Sequence, residues 1–244
     1  MVPQIQNPAI APGATILLTA ANGFIASHVV DQLLTYGYRV RGTVRSKARS
    51  SWLTSLFGAR HPNSSLELIE VADINAPGCY DAALIGVSAV IHTAASTALV
   101  VDEGHDAVQD AIDANLNVLG AVKAANQKGE KITRVVLTTS SWAVMYPRPN
   151  TVKDLTPETY DEFAAAMLAD KSLPNEFKAL MVYVESKKRA EQESWKWFKT
   201  NRESSGFVLN TVIPGTCIGP VLAPKQQEYP STAGFVRSLY EGKN

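Results

Sequence analysis

The sequence predicts an α/β fold, a doubly wound parallel sheet with helices on both faces. Three observations predict it. Apolar runs alternate with longer amphipathic stretches along most of the 244 residues. The runs are continuous Val/Ile/Leu segments, as expected of strands covered on both faces. The chain opens on an apolar strand, a small-residue turn and a helix, and such strand–helix alternation argues for parallel crossovers.

In order, Ile16–Leu18 is the first strand, and an amphipathic helix begins at Phe24. Arg39–Val44 reads as a strand, Lys47–Phe57 as a helix, Leu66–Val71 as a strand and Pro77–Leu84 as a short helix. Ser88–Thr93 is a strand, His105–Gln127 a long helix and Ile132–Thr139 a strand. Lys178–Asn201 reads as a helix, Phe207–Ile213 as a strand and Ala233–Glu241 as a short helical stretch. Residues 1–13, with prolines at 3, 8 and 12, form a loose leader. The excursion from Tyr146 to Leu180 interrupts the rhythm. It opens on Pro147 and Pro149 and carries an acidic helix-forming stretch, Pro157–Asp170. A long connection of this kind is expected to form a wall or lid over a site.

Composition narrows the function classes. Lys and Arg number 23, as do Asp and Glu, so no charge excess points to nucleic acid or an acidic membrane. No apolar run approaches the ~20 residues of a membrane span, and the start lacks a secretory signal pattern. Cys79 and Cys217 lie far apart, which suits a reducing compartment. A cytoplasmic protein with no metal site is expected, and monomer and homodimer stay open.

The turn after the first strand, Thr19-Ala20-Ala21-Asn22-Gly23-Phe24-Ile25-Ala26, carries small residues at positions 20, 23 and 26. Small residues let backbone approach a pyrophosphate, and the free N–H groups of the helix start hold its charge. After the second strand, Arg45, Ser46 and Lys47 stand where an acid would accept bonds from a ribose 2′-hydroxyl. No acid lies in that window. Arg45 offers a forked contact to a 2′-phosphate, so NADP is expected over NAD. Asp73 follows the third strand, placed either to accept from an adenine amino group or to cap its own loop. His92-Thr93-Ala94-Ala95 ends the fourth strand with small residues beside a ligand path. His92 reads as structural, and His28, His61 and His105 are given no role.

Tyr183 and Lys187 stand four apart on a helix, which puts phenol and ammonium on one face. A neighbouring cation favours phenolate and brings the phenol toward an acid–base range. Ser140 and Ser141 end the fifth strand, at the carboxyl edge where open parallel sheets bind ligands. A serine hydroxyl there can donate to a carbonyl oxygen as charge develops on it.

Together these segments resemble the extended short-chain dehydrogenase/reductase superfamily, in its aldehyde (carbonyl) reductase and dihydroflavonol reductase-like branch. The matching stretches are Thr19–His28, Thr43–Ser46, Val90–Ala95, Val135–Ser141, Tyr183-x-x-x-Lys187-x-x-x-Glu191 and Asn210–Pro220. The resemblance implies a Rossmann-like NADP-binding unit over residues 14–220. It implies reduction of a small-molecule aldehyde or ketone with a proton from Tyr183. Lys187 would lower the Tyr183 pKa and hold ribose hydroxyls, and Ser141, ahead of Ser140, would hydrogen-bond the carbonyl. Asn117 would support the site, with Asn115 the alternative. The cofactor would lie against Thr19, Ala20, Asn22, Gly23, Phe24, Ile25, Arg45, Lys47, Asp73, Ile74, Thr93, Ala94, Ala95 and Thr139. Pro214, Gly215 and Thr216 would flank its nicotinamide. A sugar epimerase or dehydratase, and a non-catalytic NADP-binding protein, are the alternative readings.

Two departures stand out. Ala20 replaces a glycine, and alanine is expected there only with negative φ, at a cost in cofactor affinity. Family members run on for roughly a hundred residues beyond Pro220, so residues 221–244 read as the start of an incomplete substrate lobe.

Overall fold

A computed structural model describes residues 5–63, 65–95, 106–229 and 232–242. The strands are β1 (Thr15–Leu18), β2 (Arg39–Val44), β3 (Leu66–Glu70), β4 (Ala89–His92), β5 (Arg134–Thr138) and β6 (Val208–Val212). They form one six-stranded sheet in the order β3-β2-β1-β4-β5-β6, and every neighbouring pair is parallel. Strand order reverses between β1 and β4. Connections there leave on opposite faces and open a crevice at the carboxyl ends.

The helices are α1 (Phe24–Thr35), α2 (Lys47–Ser50), α3 (Trp52–Arg60), α4 (Asp81–Leu84), α5 (Ala107–Gln127) and α6 (Ser141–Val144). They continue with α7 (Phe163–Ala169), α8 (Asn175–Ser205), α9 (Pro224–Gln227) and α10 (Thr232–Tyr240). Against one sheet face, Leu18, Val40 and Val44 pack with Ala26, Val30 and Leu34 of α1 and Leu53 and Phe57 of α3. Against the other, Leu17, Val90, Val135, Leu137 and Leu209 meet Val118, Leu119 and Val122 of α5 and Phe198 of α8. Two apolar layers thus clamp the central strands, which explains their unbroken Val/Ile/Leu runs.

Several elements differ from the sequence reading. The helix expected over Lys47–Phe57 is two helices, because the Ser51 hydroxyl turns back to the Ala48 carbonyl at 3.1 Å and competes with the ladder. The helix expected from Pro77 is confined to α4. The long helix is capped by Asp106, whose Oδ1 accepts from Val108 and Gln109 N–H at 3.1 and 3.0 Å; His105 lies outside the described residues. In the acidic stretch only α7 is helical. β6 is covered on one face only: Leu209 is buried, whereas Val208 and Val212 are exposed. No helix among the described residues is long and apolar enough to cross a membrane.

The crevice floor is tied together by Thr19, which is fully buried just past β1. Its Oγ1 accepts from the N–H groups of Thr93 and Ala94 at 3.0 and 2.9 Å and lies 3.0 Å from His92 Nδ1. A hydroxyl has two lone pairs and one proton. With both lone pairs taken, its proton is left for His92 Nδ1, which assigns a neutral imidazole whose Nε2 is buried without a hydrogen-bond partner. Burial agrees, pushing the His92 pKa down to about 3. The Thr93 hydroxyl returns a bond to the Thr19 carbonyl.

Replacing Thr19 with Val keeps the volume and strands two buried N–H groups and a ring nitrogen. Thr19→Val is expected to lower unfolding free energy by about 2–4 kcal/mol, read from urea denaturation at pH 7; a loss under 1 kcal/mol would rule out this account.

Candidate active site

The carboxyl ends of β1, β2, β4 and β5 open on a cleft in two parts. One, about 730 Å³, is lined by Asn22, Thr43, Arg45, Asp73, Ile74 and Ala94 among others. The other, about 310 Å³, is lined by Phe24, Ile25, Thr139, Ser140, Tyr183, Lys187, Pro214 and Gly215 among others. Ala20, Gly23, Thr93 and Ala95 line both and form the neck between them.

The neck is tight for a packing reason. A Cβ at Gly42 of β2 would come within 2.7 Å of the Ala21 Cβ, so only glycine lets the turn lie on the strand. Thr43 then fastens it, accepting Ala20 N–H on Oγ1 at 3.2 Å and Ala21 N–H on its carbonyl at 2.9 Å. Gly23 N–H closes the turn onto the Ala20 carbonyl at 2.9 Å and supplies no side-chain cap to α1. The first N–H groups of a twelve-residue helix therefore face the neck, a setting for phosphate.

Ala20 corrects an expectation. Its φ is +51°, in the left-handed region that alanine was expected to avoid. The bonds to Thr43 and Gly23 over-determine the turn and hold the strain there.

A third groove, about 300 Å³, continues from Asn22, Gly23 and Arg45 to Ser46, Arg49 and Trp52. Arg45 and Arg49 are both exposed, and two guanidiniums at one groove suit a phosphate. Sequence reading missed Arg49: Arg45 precedes the Ser46 N-cap and Arg49 lies within α2, so no helical spacing relates the two.

In the smaller cavity, Tyr183 and Lys187 come from one face of α8. Lys187 Nζ lies 5.9 Å from the Tyr183 ring centroid, within cation–π range. Burial raises the Tyr183 pKa, and a hydrogen bond with Ser140 opposes that rise. Burial alone lowers Lys187 from 10.5 to about 8. Thr139 Oγ1 is buried without a partner beside them and lines the same cavity. An orphaned hydroxyl in a cleft is a place where a polar ligand atom fits.

The serine choice is corrected. Ser140, not Ser141, lines the cavity with Tyr183. β5 ends at Thr138, so Ser140 is the N-cap of α6, accepting Trp142 N–H at 3.3 Å. Ser141 is already the first helical residue, its N–H bonded to the Pro214 carbonyl at 2.9 Å.

Asn117 also stands elsewhere. Its amide donates to the carbonyls of Ile74 and Ala76 at 2.7 and 3.2 Å and so braces the loop after β3. Asn115 bonds Ser194 Oγ at 3.1 Å on α8. Thr19 lies beneath the floor, with its hydroxyl committed to His92 and the two amides. Lys47 sits beside the groove, its backbone N–H held by Glu70 Oε2 at 2.8 Å. Thr216 is exposed outside the lining, whereas Cys217 and Thr232, which the sequence did not suggest, line the cavity. Asp73 caps its own loop, Oδ1 accepting Asn75 N–H at 2.8 Å, and it also lines the larger cavity.

The excursion packs beside Tyr183. Buried Asp161 gathers it, accepting from Tyr146 and Phe163 N–H at 3.2 and 2.8 Å and pairing with Arg148 at 3.1 Å. Tyr146 stacks on Phe163, and Trp142 meets Tyr183 edge-on at 6.2 Å between centroids. Among the described residues no group of three or more His, Cys, Asp or Glu is arranged to hold a metal ion.

Fold and cleft together define a dinucleotide-binding protein with a Ser–Tyr–Lys constellation at the sheet's carboxyl edge. The chain belongs to the NAD dependent epimerase/dehydratase family, which it matches over residues 16–244. It is 35% identical over 242 residues to Aldehyde reductase 2 of Sporidiobolus salmonicolor, covering 98% of this chain and 68% of that protein. It is 37% identical over 241 residues to ketoreductase adrE of Penicillium rubens, covering 98% and 67%. Among solved structures, yeast methylglyoxal/isovaleraldehyde reductase Gre2 complexed with NADPH superposes with a TM-score of 0.70 at 30% identity, over 86% of this chain and 60% of that one. The chain thus spans about two thirds of the length of these curated relatives.

Two outcomes follow from the strained turn and the buried amine. Ala20→Gly relieves the left-handed strain and is expected to raise unfolding free energy by about 1 kcal/mol, measured by urea denaturation; a loss of stability would mean that the turn is unstrained. For Lys187 the folded pKa lies below the unfolded value, so the folded chain releases this proton first. Between about pH 8 and 10.5 the unfolded chain holds more protons, and stability gained from this group rises with pH. The stability of wild type minus that of Lys187→Met should therefore climb across that window, and a flat difference would contradict the burial argument.

Proposed function

We propose that this chain reduces an aldehyde or ketone to an alcohol with NADPH. The observation that carries the reading is the meeting of Ser140, Tyr183 and Lys187 in one cavity, joined through the neck to a groove lined by Arg45 and Arg49.

The cleft fits a phosphorylated dinucleotide. Uncapped N–H groups of α1 suit a pyrophosphate, Asp73 and Ile74 lie where adenine would be held, and Arg45 with Arg49 suits a 2′-phosphate. Bound NADPH would supply the hydride to the carbonyl carbon.

The remaining work falls to the chain's own side chains. Tyr183, with its pKa raised by burial, holds its proton at neutral pH and carries it on the phenolic Oη, ready to pass to the substrate oxygen. The Ser140 hydroxyl is positioned beside that phenol to donate to the same oxygen as negative charge builds there. Lys187, with a pKa of about 8, remains mostly cationic at pH 7 and stabilises the phenolate left behind. The excursion gathered by Asp161 walls the substrate side and fixes Tyr183 through Trp142.

Basic residues, with no acid at the end of β2, favour this reading over a sugar epimerase that retains NAD. The family relationship and the named reductases among the relatives support it too.

Tyr183→Phe is expected to cut turnover of a reducible aldehyde by about 10²–10⁴-fold while NADPH affinity, followed by tryptophan fluorescence, stays at the wild-type value. Substantial turnover in that variant would sink the assignment. In the same titration, wild type should prefer NADPH to NADH, and Arg45→Ala should erase most of that preference.

A further inference from the structure

The segment after Pro220 returns to the dinucleotide turn from some 200 positions away in sequence, and it is fastened to that turn and to α1. His28 Nε2 lies 2.8 Å from the Pro220 carbonyl oxygen. Leu222 packs against the apolar core shared by α1, β1 and β2. Gln227, at the end of α9, points its amide nitrogen at three oxygens: the Asn22 carbonyl at 3.1 Å, the Gly23 carbonyl at 3.3 Å and Ser27 Oγ at 3.1 Å. Its own Oε1 accepts Ala223 N–H at 3.3 Å, which locks the side chain to its segment.

We propose that Gln227 is a positioning residue for the cofactor, setting the turn that receives the pyrophosphate. The proposal rests on the NADPH reading above. A trans peptide is planar, with its N–H pointing opposite to its C=O. The Gly23 carbonyl already accepts Ser27 N–H at 2.9 Å as the first bond of α1. The Gln227 amide, at 3.3 Å from it and 3.1 Å from the Asn22 carbonyl, adds a second hold that steadies the direction of the Phe24 N–H, the first open donor of α1. Gly23 and Phe24 both line the neck side of the cleft. Gln227 also borders the groove that holds Arg45, Ser46 and Arg49. Its donors are already committed to the turn, so it acts on affinity through the turn and not by gripping the 2′-phosphate. Linkage makes the effect reciprocal: a cofactor that needs the ordered turn must also favour the docked segment.

The experiment titrates the wild-type chain, Gln227→Ala, Gln227→Glu, Gln227→Lys and Arg45→Ala with NADPH and with NADH. Gln227→Ala is expected to weaken both dinucleotides by a similar factor, about tenfold. Gln227→Glu keeps the shape without the N–H donors and is expected to weaken both at least as much. Gln227→Lys restores donors to the same oxygens and should retain affinity, whereas Arg45→Ala should weaken NADPH alone. Amide hydrogen exchange over residues 223–227 should slow on saturation with NADPH in wild type and not in Gln227→Ala. Unchanged affinity in both Gln227→Ala and Gln227→Glu, or a loss confined to NADPH, would overturn the proposal while leaving the cofactor reading intact. Failure of wild type to bind either dinucleotide would remove the cofactor reading and the proposal with it. Should Gln227→Ala fail to fold, the uncharged Gln227→Met, which keeps the length and removes the donors, takes its place: equal weakening of NADPH and NADH is expected, and unchanged affinity would overturn the proposal.

Discussion

One buried hydroxyl sets the geometry on which the cleft depends. Thr19 Oγ1 satisfies two backbone amides at the end of β4 and hands its proton to His92, so the carboxyl ends of β1 and β4 cannot part. These are the strands between which the sheet reverses order, where an open α/β sheet must open to bind anything. Both lone pairs and the proton of that hydroxyl are in use at the crevice floor. The chemistry is carried by what rises above that floor: the turn from Ala20 to Gly23, the β5 end at Ser140 and the α8 face with Tyr183 and Lys187. His92, which stands beside this floor, is fully buried, packs edge-on against Tyr80, and is held neutral by burial.

Strain and close packing share the neck. Gly42 lets the turn press on β2, and Thr43 pins it at both amides, so Ala20 is held in a conformation that its own methyl disfavours. The stored energy comes from the surrounding bonds, as is usual where backbone is shaped for a ligand.

Much of this was legible in the sequence because the sheet is covered on both faces. Continuous apolar runs marked the central strands β1 and β4, and amphipathic spacing with a small-residue turn placed the start of α1. Tyr183 and Lys187 were legible because a helix fixes what lies four positions apart. The misplaced details turn on single hydrogen bonds that leave no periodic trace. Whether Ser140 or Ser141 faces the cleft depends on which one caps a four-residue helix. The division at Ser51 depends on one hydroxyl turning back onto the backbone. The role of Asn117 depends on the path of the loop after β3, and that of Gln227 on a contact across the length of the chain. The sign of φ at Ala20 follows from bonds made by β2, which a local reading of the turn does not contain.

The two guanidiniums at the outer groove differ from the groups inside the cleft in one physical respect: Arg45 and Arg49 stand in solvent. Mobile ions screen exposed charges over about 8 Å at physiological ionic strength, while partly buried groups such as Lys187 feel them much less. If these guanidiniums hold a 2′-phosphate as proposed, discrimination between dinucleotides with and without that group is a quantity that salt tunes. The geometry that holds the reacting atoms is insulated from the same ions. Dilute and concentrated buffers would thus change which dinucleotide the chain selects far more than how it handles a bound one.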